Sequence, residues 1–359
     1  MKVLMVNSVP TGRNGITGVV FNFIEAFPKG SVELGYVAIN EPDVGFRHRL
    51  EKACVSLHII PRELRHPLRY VKELINVACG YDAIHVHGNS ATLVLEMMAA
   101  KYAGVPLRIA HSHNSNCSMH LIHRTMWPLF QSLCNCRLSC SDKAGRWLFG
   151  KREFTVINNG IDTARYAFNK EKRETAIKEI GGSGPVVGHV GNFDYAKNHP
   201  FILQIFAELK KHIPDATLLL VGGGEAMPRF QTMVCGLGIQ DSVVFTGSIS
   251  DTSPYISAMD IVLMPSYYEG MPLTLVEEQA NGLQCVVSDA ITRNADLTGN
   301  LTFLSLSDPI KKWVETITAI LKNSQEREKT SEAAIAKIKS SGYDIHEEAT
   351  KLLNLYYCE

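Results

Sequence analysis

Residues 261–282 read IVLMPSYYEGMPLTLVEEQANG. Residues 261–264 form a short apolar run with β-branched side chains, which reads as a buried strand. Gly270 and Pro272 mark a turn, and residues 273–281 have the composition of a helix. A buried strand that passes through a loop into a helix is half of a βαβ unit. Such units build parallel sheets covered by helices on both faces. Glu269 stands in the loop at the mouth of the strand, and Glu277 about one turn into the helix. The backbone N–H groups of residues 271–274 open that helix, and such groups seat anions. Two carboxylates beside an anion seat suit the hydroxyls of a ribose and of a sugar whose phosphates rest on the amides. The helix dipole alone accounts for an acid near the helix start. It does not account for Glu269, which precedes Gly270.

The same strand-to-helix alternation extends in both directions. Residues 3–7, 32–38, 83–87, 107–112, 137–139 and 154–157 read as strands, with helices at 15–27, 64–79, 91–103, 121–134 and 142–149. Residues 165–184 are charged, weakly periodic and end in glycines, so they read as a linker. The pattern then restarts. Strands at 186–190, 216–221, 242–245, 261–264 and 284–288 alternate with helices at 200–212, 227–236, 253–258 and 273–281, and two further helices fill 309–339. The expected architecture is α/β, with two doubly wound domains. Residues 1–168 form the first and 180–340 the second. A last helix, within 343–359, packs back on the first. Ligands of such sheets bind beyond the carboxyl ends of the strands.

The chain has 359 residues and equal numbers of basic and acidic side chains. That length suits two domains. Zero net charge argues against nucleic acid as a partner. The balance is uneven, at +8 over residues 1–170 and −8 over the remainder, which suggests different partners for the two halves. No apolar run approaches the ~18 residues of a membrane span, and no signal-peptide pattern opens the chain. A cytoplasmic location, at the inner face of the cell membrane, is the expectation. Nine cysteines without a secretion signal read as reduced thiols. Cys134, Cys136 and Cys140 near His120 and His123 lack paired zinc-knuckle spacing, so no metal is expected.

Other loops carry candidate groups. Gly12, Gly15 and Gly18 follow the first strand, where they serve either an anion or a flexible turn. They do not have the dinucleotide-binding G-x-G-x-x-G spacing, and no phosphate-binding P-loop occurs anywhere. His113 follows the strand that ends with His111 and Ser112, and is placed either to meet a substrate hydroxyl or to satisfy its own neighbours. His85 and His87 repeat the spacing on the preceding strand and read as structural. Lys197 adds positive charge near a helix start, which is favourable with an anion between them, a diphosphate above all; the alternative is a solvated lysine. Gly222, Gly223 and Gly224 let a backbone approach a ligand closely.

The run PSYYEGMPLTLVEEQANG resembles the E-x7-E signature of family 4 retaining glycosyltransferases, with Glu269 and Glu277 as its acids. NNGID at 158–162, GNFDYAKNH at 191–199, VGGGE at 221–225 and FTGSISD at 245–251 follow the family's order. RIAHSHN at 108–114 resembles the histidine loop of its exopolysaccharide and capsule branch. The likeness covers nearly the whole chain. It implies a GT-B fold, two Rossmann-like domains facing a central cleft. It also implies metal-independent sugar transfer with retention at the anomeric carbon. No cofactor is implied beyond the donor substrate, a nucleotide-diphosphate sugar for which UDP is the expected carrier.

By the same likeness Glu269, His113 and Lys197 are the catalytic candidates. Glu277 would hold the donor ribose, and Glu269 the donor-sugar hydroxyls. The backbone of Gly270, Met271, Pro272 and Leu273 would meet sugar or phosphate. Gly15, Asn192, Lys197 and Gly223 complete the donor site. Asn192 departs from the family, which usually has Arg there, so one positive charge is missing; Arg13 is a candidate substitute. Glu278 stands where a small residue is usual. A lipid-linked or oligosaccharide acceptor would meet the basic first half. Arg62, Arg65, Arg69 and Lys72, together with Arg124, Trp127, Leu129 and Phe130, would form a peripheral membrane surface. The competing readings are a nucleotide-sugar epimerase and a non-catalytic binding scaffold of the same fold.

Overall fold

The computed structural model describes residues 1–12, 14–62, 66–323 and 326–357. The chain divides into two compact units. The first comprises residues 1–160 and the stretch from Gly342 onward; the second is Ile161–Ser341.

Among the described residues the first unit has a parallel sheet of seven strands. These are β1 (Lys2–Asn7), β2 (Glu33–Ala38), β3 (Ser56–Ile59), β4 (Ala83–Gly88), β5 (Leu107–Ser112), β6 (Cys136–Ser139) and β7 (Thr155–Val156). Their order is β3-β2-β1-β4-β5-β6-β7. The second unit has six: β8 (Val186–Val190), β9 (Thr217–Val221), β10 (Val243–Gly247), β11 (Ile261–Met264), β12 (Gln284–Ser288) and β13 (Leu301–Leu304). They run β10-β9-β8-β11-β12-β13. Both are doubly wound orders that reverse beside the first strand, and ligand crevices form at that reversal. The central strands β1, β4, β8, β9 and β11 are buried almost throughout. Strands of a parallel sheet covered by helices on both faces read as continuous apolar runs.

The reversal in the second unit is open at its carboxyl end. β11 pairs with β8 only at Ile261↔Val187 and Val262↔Gly188. Beyond that the His189 ring takes over, its Nδ1 bonded to the Leu263 carbonyl at 2.9 Å. The loops leaving β8 and β11 therefore flank a gap in the ladder.

The unit boundary falls at Gly160 rather than at 168, and 165–184 is no linker. Thr163–Tyr166 and Lys170–Ile180 are helices of the second unit. The longer one buries only Ala176, so it has almost no apolar signal. Its anchor is polar: Arg173 donates to the carbonyls of Ser257, Ala258 and Met259 and to Asp260. Upstream, the Phe168 N–H donates to Ser331 Oγ. The helix Val44–Lys52 and strands β3 and β13 are further elements beyond the sequence reading.

The terminal helix Ile345–Tyr357 belongs to the first unit. The Asn158 N–H donates to Glu348 Oε2 at 2.9 Å, and the Tyr356 hydroxyl meets His85 Nδ1 at 2.6 Å inside the core. A Cβ on Gly160 would lie 2.8 Å from the Ile345 backbone, so only glycine lets the helix this close.

Candidate active site

In the second unit the two loops at the reversal are tied together. Asn198 adopts a left-handed backbone conformation (φ 55°), which asparagine tolerates better than most residues. Its buried amide donates to the Pro265 carbonyl at 3.1 Å. The Tyr267 N–H donates to the Ala196 carbonyl at 2.8 Å, and the Tyr195 and Tyr267 rings stack at 4.8 Å. A bridge between Glu269 and Ile291 fixes the far side of the β11 loop.

This lacing brings two predicted groups together. Lys197 Nζ lies 2.7 Å from Glu269 Oε1, with side chains 13% and 17% exposed. Lys197 does not start the long helix. It ends the short turn Tyr195–Lys197, whose cap is Asp194, and the helix begins at His199. Gly191 lets the lysine lie across the end of β8, because a Cβ there would come within 2.9 Å of Lys197 Cε.

Glu277 sits one turn into the helix Leu273–Ala280. Burial pushes its carboxyl up to about 7, against the pull of a Tyr166 hydrogen bond and the Arg165 charge. Arg165 itself pairs with Asp251 at 3.0 Å. Tyr166, Arg165 and Asn198 are site-shaping residues that sequence reasoning missed. The first two lie in the supposed linker; Asn198, inside GNFDYAKNH, was visible only as part of a motif. Pro272 caps the helix Leu273–Ala280, and the Leu275 N–H donates to its carbonyl at 3.1 Å. The amides of Leu273 and Thr274 before it open the helix, where N–H groups have no partner within the helix. Gly270 is exposed and has open space around its Cα, and Met271 and Leu273 are partly exposed beside it.

The glycine loop after β9 is held tightly. Gly222 (φ 146°) packs on the Gly191 carbonyl, where a Cβ would lie at 2.0 Å, and the Phe193 N–H donates to the Gly223 carbonyl at 2.9 Å. These glycines serve loop-to-loop packing as well as any ligand approach. Asn192 is exposed between them, its carbonyl accepting from the Asp194 N–H. Glu278 is wholly buried, and neither carboxyl oxygen has a hydrogen-bond partner.

Gly15 and His113 belong to the first unit. Gly15 opens the helix Gly15–Ala26 behind its cap Asn14, with nothing within 4 Å of where a Cβ would stand. Arg13 lies outside the described residues. His113 Nε2 bonds His87 Nδ1 at 3.0 Å, and His85 Nε2 bonds His111 Nδ1 at 3.2 Å. Burial pushes His113 down to about 4 and holds His85, His87 and His111 well below the usual imidazole range. All four rings are therefore neutral near pH 7. His85, His87 and His111 are, among the described residues, the one group of three that could hold a metal, with nitrogens within 4.8 Å of one another. His85 already uses both nitrogens in hydrogen bonds. The cysteine cluster forms no such group; burial raises the Cys134, Cys136 and Cys140 thiols, and the described cysteines are free.

The basic patch is only partly a surface. Arg62 pairs with buried Glu96 at 3.0 Å, Arg69 pairs with Glu73, and Phe130 is buried. Trp127 is half-buried and donates to the Leu148 carbonyl. Lys72, Arg124 and Leu129 are exposed, and Arg65 lies outside the described residues. No helix among the described residues is long and apolar enough to cross a membrane.

Comparison with known proteins gives this arrangement its class. The family described as glycosyl transferases group 1 matches residues 170–337. A GDP-mannose-dependent α-(1-6)-phosphatidylinositol monomannoside mannosyltransferase of Mycolicibacterium smegmatis is 31% identical over 311 residues, 79% of each chain. The chain belongs to this family and is a glycosyltransferase of the GT-B type. Among its relatives is EpsF of Bacillus subtilis, named as a glycosyltransferase, at 29% identity over 96% of this chain and 93% of EpsF. In fold it matches Anabaena Alr3699/HepE, solved with UDP-glucose, with a TM-score of 0.77 and 21% identity over 99% of this chain and 100% of that one.

Proposed function

We propose that this protein moves a sugar from a nucleotide-diphosphate sugar, with UDP as carrier, to a lipid-linked or oligosaccharide acceptor in bacterial surface-polysaccharide synthesis. The reaction retains the anomeric configuration and uses no metal or further cofactor. The work is done in the cytoplasm, at the inner face of the membrane.

The Lys197–Glu269 pair at the reversal of the second sheet carries this reading. A diphosphate entering beside the helix Leu273–Ala280 gives Lys197 a stronger partner than Glu269. The freed carboxylate then accepts from the donor-sugar hydroxyls. As the bond from the anomeric carbon to phosphate oxygen breaks, Lys197 and the first-turn amides stabilise the charge left on the diphosphate. The acceptor oxygen bonds the same carbon on the same face, and its proton passes to the departing phosphate oxygen. Glu277 holds the ribose. Neutral His113, in the first unit, is available as a hydrogen-bonding group for the acceptor. The sequence contains no Asp-x-Asp pair, and Lys197 supplies the cationic role. The name of the mycobacterial relative, with its GDP-mannose donor and phosphatidylinositol-bearing acceptor, supports a nucleotide-sugar donor and a lipid-borne acceptor. The Anabaena complex supports UDP.

A donor screen by thermal shift, followed by mass and anomeric analysis of the product, tests this. Transfer with retention, undiminished by a chelator, is the expected result. Inversion, C2 epimerisation of free donor, or binding without turnover would each overturn it.

A further inference from the structure

The helix His120–Leu133 has two unlike faces. His123, Phe130, Gln131 and Leu133 are buried; His123 Nδ1 accepts from the Ala91 N–H, and Gln131 donates to the Leu148 carbonyl. The opposite face leaves Leu121 76%, Ile122 46%, Met126 37% and Leu129 46% exposed. No other helix among the described residues exposes more than one large apolar side chain. Exposed apolar groups gathered on one helix face mark an interaction surface.

The charge around this face selects the partner. From residue 97 to residue 141 the chain contains no Asp or Glu, yet it carries Lys101, Arg108, Arg124 and Arg137. Arg124 is exposed on the helix itself, and Lys151 and Arg152 are exposed just past Gly150, against which Trp127 of this helix packs. Exposed Glu153 follows them, so the flank is net basic rather than free of acid. A helix with an apolar face, no acid of its own and a net basic flank matches an anionic lipid surface.

We propose that this helix lies in the headgroup region of an anionic bilayer, with Leu121, Ile122, Met126 and Leu129 inserted among the acyl chains and Arg124 at the phosphates. This deepens the lipid-linked acceptor reading and rests on it for its purpose, since the acceptor's lipid would share that bilayer. It narrows the membrane contact expected of two basic stretches to the apolar face of His120–Leu133.

The full-length protein is mixed with vesicles of phosphatidylcholine and phosphatidylglycerol at low salt and floated on a density gradient. Wild type should float with the mixed vesicles and much less with phosphatidylcholine alone. The Leu121→Glu/Leu129→Glu variant should lose binding by at least about tenfold while melting like wild type, because both side chains are exposed. Arg124→Glu should weaken binding to the mixed vesicles and lower its sensitivity to salt, because less of the remaining attraction is electrostatic. Wild type that stays in solution, or a double variant that floats unchanged, overturns the proposal. So does light scattering that shows a dimer split by Leu121→Glu, for then a second copy covers the face. No donor is present in the flotation, so its result stands apart from the transfer reading. A wild type that floats but transfers no sugar refutes the function and keeps the surface.

Discussion

Lys197 and Glu269 are 72 positions apart in sequence, and their charged ends meet at 2.7 Å. The pair is mostly shielded from water, so each charge depends on the other. Lys197→Met should leave Glu269 without a partner and lower stability by about 1–3 kcal/mol. It should also cut kcat by about 100-fold, through loss of charge stabilisation at the leaving diphosphate. Lys197→Met/Glu269→Gln removes both charges and should melt closer to wild type while remaining inactive. Parallel melting and transfer assays check this; a double variant less stable than either single one would show that the pair is not the coupling.

On the proposed reading, Glu277 should give the donor site a pH dependence near neutrality. A ribose hydroxyl is held better by a carboxylate than by a carboxylic acid. Burial raises Glu277 to about 7, so donor affinity should climb as pH rises through 7. The sign for stability is opposite. The folded group holds its proton more tightly than the unfolded one. Its stabilising contribution is present in full below about 4.5, the ordinary carboxyl value, and is lost as pH rises through about 7. Calorimetric titration with UDP-glucose from pH 6 to 8 should show the climb in wild type and a flat response in Glu277→Gln.

Much of this site is legible in the sequence, but not its assembly. The run 261–282 announces strand, loop and helix through local signals: apolar β-branched residues, then Gly270 and Pro272, then helix formers. Glu269, Glu277 and Lys197 are each visible as charges in strand-to-helix loops. Their pairing is not, because it depends on the short β8–β11 ladder and on Asn198 reaching Pro265. Tyr166 is hidden for another reason. The helix after it is held by Arg173 and carbonyl groups rather than by an apolar stripe, so hydrophobic periodicity reads the region as a linker. Edge strands β3 and β13 are four residues each and only partly buried, so they lack the apolar run that identifies the central strands.

Glu278 is an acid in an apolar place. Burial, and next the charge of Glu277, hold its carboxyl well above the usual range, with Lys197 opposing. The stabilising contribution of that proton is present below about 4.5 and is lost as pH rises through the raised folded value. Glu278→Gln cannot ionise. At pH 8.5 it should be more stable than wild type, and at pH 5 the difference should be much smaller. Urea unfolding at the two pH values measures the difference. Equal gains at both would show that ionisation is not the cause.

Asn192 poses the remaining question about charge. The family's usual arginine is missing from this loop, and Lys197 works beside Glu269, whose charge opposes its own. The Asn192 side chain is exposed, and its carbonyl, which a substitution keeps, accepts from the Asp194 N–H. Asn192→Arg should bring a second cation to the diphosphate. A charge-assisted hydrogen bond to phosphate contributes about 1.5–3 kcal/mol, of which a mobile exposed side chain recovers part. The donor KM should fall several-fold. If the charge also matters as the diphosphate leaves, kcat should rise with it. Steady-state kinetics with the preferred donor separates the two effects. An unchanged KM and kcat would mean that Lys197 and the helix amides already saturate the diphosphate.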